Sequence, residues 1–204
     1  MSLQPFLLES IRLHNGHMPY LKWHLQRIYR SRKLLWGLSD YFSPYPLLEA
    51  ATAFPIGIYK VRLVYSDAIH EIDIIPYAIR PVLSLQLIDA GALVYDHKYA
   101  DRSALLQLFQ QRGEADDVLM YHQERITDSS YANVAFYDGA TWYTPSTPLL
   151  QGVQRSRFIA AGLLSPLDIK IQDIGQFQSV RLINAMMTWE ESPLIPTLKI
   201  FDPR

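Results

Sequence analysis

Four short stretches place reactive or anion-seeking groups where the chain turns or a helix begins. Asp96-His97-Lys98-Tyr99-Ala100-Asp101-Arg102 carries a lysine just before a helical run. A lysine amine can join a carbonyl carbon as a Schiff base and afterwards move protons. Thr127-Asp128-Ser129-Ser130 offers a carboxylate able to hold a positively charged nitrogen. His24-Leu25-Gln26-Arg27 puts an arginine on an amphipathic helix, and a guanidinium grips a phosphate through two N–H groups at once. Gly152-Val153-Gln154 stands just before a helix starting at Arg155, where backbone N–H groups and the helix dipole favour an anion.

Taken singly, each stretch has a plainer reading. A lysine before a helix is ordinarily a solvated charge, and an arginine on an amphipathic helix ordinarily faces water. Asp128, followed by two serines, can simply make an Asx-type turn. His24 is a packing residue more often than a ligand, so it stays out of the site list. What decides the matter is several elements occurring together and in order.

Gly113-Glu114-Ala115-Asp116-Asp117-Val118-Leu119 is followed by Ile126-Thr127-Asp128-Ser129-Ser130-Tyr131-Ala132-Asn133-Val134, then Thr144-Pro145, then Leu150-Gln151-Gly152-Val153-Gln154-Arg155. This succession resembles the cofactor-binding core of the class IV aminotransferases, the fold type IV enzymes that use pyridoxal 5'-phosphate (PLP). The resemblance implies that Lys98 is the Schiff-base lysine and that PLP is the cofactor. It implies that Asp128 holds the pyridine nitrogen, in place of the family's usual Glu and one methylene shorter. Arg27 is implied as the phosphate clamp, with Val153 and Gln154 binding the phosphate through main-chain amides. Val180-Arg181-Leu182-Ile183-Asn184-Ala185-Met186 resembles the strand that returns to the cofactor, which adds Asn184 and the amide of Ala185. The match runs from Glu9 onward; the stretch that usually precedes it has no counterpart, and the loop after Tyr65 is short.

Within that family, Lys98-Tyr99-Ala100-Asp101-Arg102 and Leu182-Ile183-Asn184-Ala185-Met186-Met187 are most similar to segments of aminodeoxychorismate lyases. The resemblance therefore implies elimination from 4-amino-4-deoxychorismate, giving 4-aminobenzoate and pyruvate. Transamination of a D-amino or branched-chain amino acid is the alternative, and a catalytically inactive PLP-binding homologue a further one. A small-molecule amino substrate with a carboxylate calls for a cation, for which Arg62 and Arg102 are the candidates. In these enzymes the active site lies between the domains and receives residues from a second subunit, so a homodimer is implied.

The elements that must position these groups can be read from periodicity. A strand over Phe6–Leu13 leads to Asn15-Gly16, a hairpin signal. Leu21, Leu25, Ile28 and Leu35 give a helix over 21–36 ending at Gly37. Ile58–Tyr65 and Ile69–Tyr77 read as an antiparallel hairpin. Pro81 marks a boundary, since proline cannot serve a central ladder, dividing the chain into residues 1–80 and residues 81–204, the latter carrying Lys98 and the phosphate loop. Beyond it the pattern predicts strands over 82–88, 117–121, 133–137, 141–144, 169–171 and 180–183, with helices over 103–112 and 155–161. The fold class is α/β with mixed sheets of the α+β type, and the resemblance makes it the two-domain fold of D-amino-acid aminotransferases.

Composition fits a packed globular protein. The 204 residues are 49% hydrophobic and 19% charged, with a formal net charge of -1, and the scattered cations offer no footprint for nucleic acid. Without cysteine there is no disulfide framework and no thiolate nucleophile, which suits a cytoplasmic protein. No run of about 18 apolar residues suggests a membrane span, and Met1-Ser2-Leu3-Gln4 does not open a signal peptide. Six histidines and twenty acidic residues raise a metal-dependent hydrolase, but no His pair has helical ligand spacing beside a carboxylate, so no metal is expected.

Overall fold

The computed structural model describes residues 5–204, so Met1–Gln4, read above for a leader, lies outside the described residues. The chain divides into two compact units: one runs up to Ile79 and also takes in His97–Asp101, and the other comprises Arg80–Asp96 and Arg102–Arg204. The division falls between Ile79 and Arg80. Lys98, however, belongs to the first unit, not to the second region where the sequence pattern puts it. The cause is a backbone pairing: the Leu8 N–H donates to the Lys98 carbonyl at 2.8 Å and the Ala100 N–H to the Phe6 carbonyl at 2.8 Å.

The first unit is a three-stranded antiparallel sheet, β1 (Leu7–His14), β2 (Ile58–Tyr65) and β3 (Ile69–Pro76), in that order. It carries the helices α1 (Leu21–Trp36) and α2 (Tyr45–Ala51). Alternation on β1 points Leu7, Ile11 and Leu13 into one core with Ile28 of α1, Leu47 of α2 and Val61 and Leu63 of β2. Glu9 shares that parity and is fully buried. Helix α1 ends on Gly37 at φ 68°, the left-handed cap that glycine adopts at no steric cost. Asn15 and Gly16 do turn, at φ 49° and 76°. The returning arm, however, is the single bridge His14–His17, and β1 pairs with the distant β2.

The second unit has β4 (Leu85–Asp89), α3 (Ser103–Gln110), β5 (Asp117–His122), β6 (Arg125–Ser129), β7 (Asn133–Tyr137), β8 (Trp142–Pro145), α4 (Val153–Ala160), β9 (Ser165–Leu167), β10 (Ser179–Ile183), β11 (Leu194–Pro196) and β12 (Ile200–Phe201). They form one mixed sheet, ordered β11-β10-β7-β6-β5-β4-β12, with β8 and β9 branching from β7. The β4–β5, β4–β12 and β8–β9 pairs are parallel and the rest antiparallel. Leu85, Leu87, Leu119, Val134, Phe136, Val180 and Leu182 fill its core. Three sequence expectations change. Arg125–Ser129, to which the sequence pattern assigns no strand, is one because β5 pairs with it. Residues 169–171 supply an isolated bridge and the start of the 3-10 helix Ile171–Gln176. Helix α4 begins at Val153, two residues before Arg155.

Candidate functional site

Glu9 organises the site residues of the first unit. Its carboxylate accepts from Arg27 Nε on Oε1 at 2.8 Å, and from Arg27 Nη2 and His24 Nδ1 on Oε2 at 2.5 and 2.6 Å. His24 and Arg27 lie three residues apart on α1, which puts both on the face turned to β1. Neither Glu9 nor His24 is exposed, while 13% of the Arg27 side chain is. Burial alone would raise the Glu9 carboxyl, but the neighbouring Arg27 charge and the His24 hydrogen bond overcome it and hold the group at about 2. His24 is pushed down, first by burial and then by the positive charges of Arg27 and Lys98, against the pull of Glu9. Its ring is therefore neutral, with the proton on Nδ1 facing the carboxylate. Nε2 is buried and has no hydrogen-bond partner among the described residues.

Lys98 is half-buried and paired through its backbone to β1 one residue from Glu9. The structure thus brings Arg27 and Lys98 to neighbouring parts of one unit. Arg62 is not among them. It reaches across the hairpin to Glu71 at 2.6 Å and Asp73 at 3.4 Å, in a cross-strand ion pair with two surface carboxylates of β3.

In the second unit, Asp128, the last residue but one of β6, is buried at 5% exposure. Its Oδ1 accepts from Asn133 Nδ2 at 2.6 Å and its Oδ2 from the Leu150 N–H at 3.0 Å. It makes no local Asx turn; it ties β7 and the loop before α4 to β6. Burial is the largest influence on its carboxyl and raises it to about 6, partly offset by those two donors and by the Arg155 charge. Asn133 also donates to the Leu150 carbonyl at 2.8 Å. A Cβ on Gly152 would come within 1.8 Å of Asn133 Oδ1, so a larger residue there must push that side chain aside. Its backbone, at φ -68° and ψ 145°, is otherwise ordinary.

Helix α4 starts at once after Gly152, and no side chain caps it. The Val153 and Gln154 amides therefore point out of the first turn without a capping side chain. Gln154 donates through Nε2 to the Met187 carbonyl at 2.9 Å, joining this helix start to the turn that holds Asn184 and Ala185. Asn184 Oδ1 accepts the Met186 N–H at 2.8 Å, and Ala185 is buried. Arg155 is buried and bonds to Thr144 Oγ1, Gln151 Oε1 and the Pro145 carbonyl, which fixes the Thr-Pro turn to the helix. Arg102 is exposed and donates to the Ser130 carbonyl at 2.7 Å. It lines a cavity of about 530 Å³ with Arg80, Ser103, Phe109, Ser130 and Tyr131.

Sequence reasoning passed over Glu9, Asn133 and Arg155. The available hint for Glu9 was a carboxylate interrupting the apolar run Phe6-Leu7-Leu8; Asn133 and Arg155 stood inside quoted motifs without an assigned task. The donor set suits PLP. A helix start that follows a glycine and carries no capping side chain suits a phosphate. A buried carboxylate raised only to about 6 is still ionised at neutral pH and suits a protonated pyridine nitrogen, and an orphaned buried imidazole nitrogen suits a polar ligand atom.

Comparison with known proteins agrees. An uncharacterized protein of Haemophilus influenzae is 31% identical over 182 residues, 88% of this chain and 97% of that protein. A crystal structure from Haemophilus somnus, provisionally named a 4-amino-4-deoxychorismate lyase, superposes with a TM-score of 0.82 at 26% identity, covering 91% of this chain and 98% of that one. A hypothetical aminotransferase from Mycobacterium tuberculosis, in PLP-bound form, shares the fold with a TM-score of 0.76 at 15% identity over 94% of this chain and 80% of that one. Residues 7–190 match the model of the amino-transferase class IV family, so this chain, with its fold type IV architecture, belongs to the class IV aminotransferases, a family that uses PLP.

Proposed function

We propose that the chain is a PLP-dependent lyase that converts 4-amino-4-deoxychorismate to 4-aminobenzoate and pyruvate, with Lys98 as the catalytic lysine. The observation that carries this reading is the near full-length likeness to the Haemophilus somnus structure bearing the lyase name. PLP, when bound, supplies a ring that withdraws the electrons left at the substrate carbon after a proton departs. Lys98 provides the amine that holds the cofactor and then takes and returns that proton at its Nζ. Asp128 keeps a positive charge on the pyridine nitrogen. Arg27 and the amides of Val153 and Gln154 bind the phosphate, and Asn184 and the Ala185 amide extend that set. Arg102, a cation at a cavity wall, is the remaining candidate for a substrate carboxylate.

The second reading is amino transfer from a D-amino or branched-chain amino acid to a keto acid, with which the class IV amino-transferase family match is equally compatible. Both reactions begin with loss of a proton from the carbon bearing the amine, and they differ in what leaves or where the proton returns. The protein is proposed to act on a small amino substrate as a homodimer in the cytoplasm. Among the described residues, no helix is long and apolar enough to cross a membrane. Incubation of the cofactor-loaded protein with aminodeoxychorismate, followed by assay of pyruvate and 4-aminobenzoate, tests the lyase. Release of both in equal amounts supports it, whereas keto-acid-dependent amino transfer without pyruvate release from that substrate supports the second reading.

A further inference from the structure

The Glu9–His24–Arg27 cluster has a charge problem as a phosphate site. Glu9 is negative, Arg27 positive and His24 neutral, so the three sum to zero. A phosphate monoester carries about -1.5 to -2 charges at neutral pH. Placing it against a neutral, mostly buried cluster leaves its charge without net compensation from these three residues.

His24 holds the means of supplying it. An ionised carboxylate can only accept, so the 2.6 Å contact to Glu9 fixes the ring proton on Nδ1 and leaves a lone pair on Nε2. That atom is buried with no partner among the described residues, a state that costs about 1–3 kcal/mol unless something fills it. A lone pair repels a phosphate dianion, but a protonated Nε2 donates to it. His24 Nδ1 and Arg27 Nη2 converge on the same Glu9 oxygen, so the imidazole and the guanidinium are neighbours around one carboxylate. Glu9 on β1, Arg27 on α1 and Lys98 on the segment paired to β1 are the charges that His24 feels. Around the same cluster stand Tyr65 of β2, whose phenol is held protonated by burial and by Glu9, and Arg32 of α1. Two cations oppose one anion at the imidazole, and an arriving phosphate reverses that balance.

Resting on the reading of Arg27 as a phosphate ligand, we propose that His24 is a further phosphate-binding residue: one proton is taken up from solvent when the phosphate binds, and Nε2 shares it with a phosphate oxygen. Glu9 is the positioning residue that selects the tautomer and steadies the imidazolium, as a carboxylate does for histidine in hydrolytic triads.

The test uses cofactor-free protein and pyridoxine 5'-phosphate, which carries the phosphate but has no aldehyde to react with Lys98, with pyridoxine as the control. Calorimetry between pH 7 and 8.5, in two buffers of different ionisation heat, counts the protons taken up. The native protein is expected to take up one proton more with the phosphate ester than with pyridoxine, and its affinity for the ester to fall by about tenfold per pH unit, the limit for one linked proton. His24→Gln keeps a donor near the Nε2 position that does not titrate, and is expected to lose both the extra proton and the slope. Should His24→Gln fail to fold, the native proton count against pyridoxine decides alone. Equal uptake for the two ligands, or the same slope in both proteins, overturns the proposal. In parallel, native protein loaded with PLP is reduced with borohydride. An adduct on Lys98 without the His24-linked proton sinks this inference and leaves the parent reading standing; no adduct and no binding of the ester sinks both.

Discussion

Glu9 and Asp128 are both buried carboxylates, yet their surroundings drive them in opposite directions. Glu9 has two basic partners and is held at about 2, below its ordinary 4.5. Its contribution to stability is therefore complete above 4.5 and lost as pH falls toward 2. Glu9→Gln should cost about 3–5 kcal/mol at pH 7, because it leaves Arg27 without its buried counter-charge, and should flatten the acid limb of the urea-unfolding profile; a loss under 1 kcal/mol would contradict the geometry. Asp128 is raised from 3.8 to about 6. Stability is then greatest below 3.8 for this group and declines as pH rises to about 6, a penalty on the order of 3 kcal/mol at 1.36 kcal/mol per unit. Unfolding of cofactor-free protein from pH 4 to 7 should show that decline in the native chain and lack it in Asp128→Asn, which is destabilised throughout by losing one acceptor for Asn133 or Leu150. Neither carboxylate betrays its burial in the sequence: Glu9 reads as a break in an apolar run, and only the approach of α1 makes it an ionised core residue. Arg62 shows the converse, a cation on a strand whose partners on β3 become visible only once the hairpin register is known.

Elements with strong internal periodicity and a terminal glycine were legible. Helix α1 spans the same 16 residues that its apolar spacing predicts, and Gly37 caps it as expected. The β2–β3 hairpin follows from two β-rich runs around Ser66-Asp67. Strand β6 was not legible, because Arg125-Ile126-Thr127-Asp128-Ser129 has no alternation to separate it from a turn; pairing with β5 makes it a strand. The start of α4 was misplaced by two residues because Gly152-Val153-Gln154 reads as a loop, although Gly152 serves as the N-cap. That junction can be tested. In Gly152→Ala the new methyl must displace Asn133, which carries Asp128 and the Leu150 carbonyl. Overpacking of this kind costs about 1–3 kcal/mol, so the urea midpoint should fall and PLP affinity with it. An unchanged midpoint would mean that the loop before α4 yields freely.

At the scale of the whole molecule, the family and its cofactor were legible from ordered motifs, whereas the grouping of Lys98 was not. A lysine 17 residues beyond Pro81 reads as part of the second region, and only the hydrogen bonds to Phe6 and Leu8 assign it to the first unit. Because the cofactor binds the folded chain alone, PLP at about 100 times its dissociation constant should add about 2.7 kcal/mol to stability, read as a rise in the unfolding midpoint. Pyridoxine should add far less, since it lacks the phosphate that Arg27 and the α4 start are proposed to hold. One measurement bears on the whole scheme: borohydride reduction of the PLP-loaded protein, followed by peptide mass spectrometry. Native protein should absorb in the visible and carry the reduced pyridoxyl group on Lys98, with Lys98→Ala showing neither the colour nor the label. A label on another of the lysines, or full colour in Lys98→Ala, would contradict it.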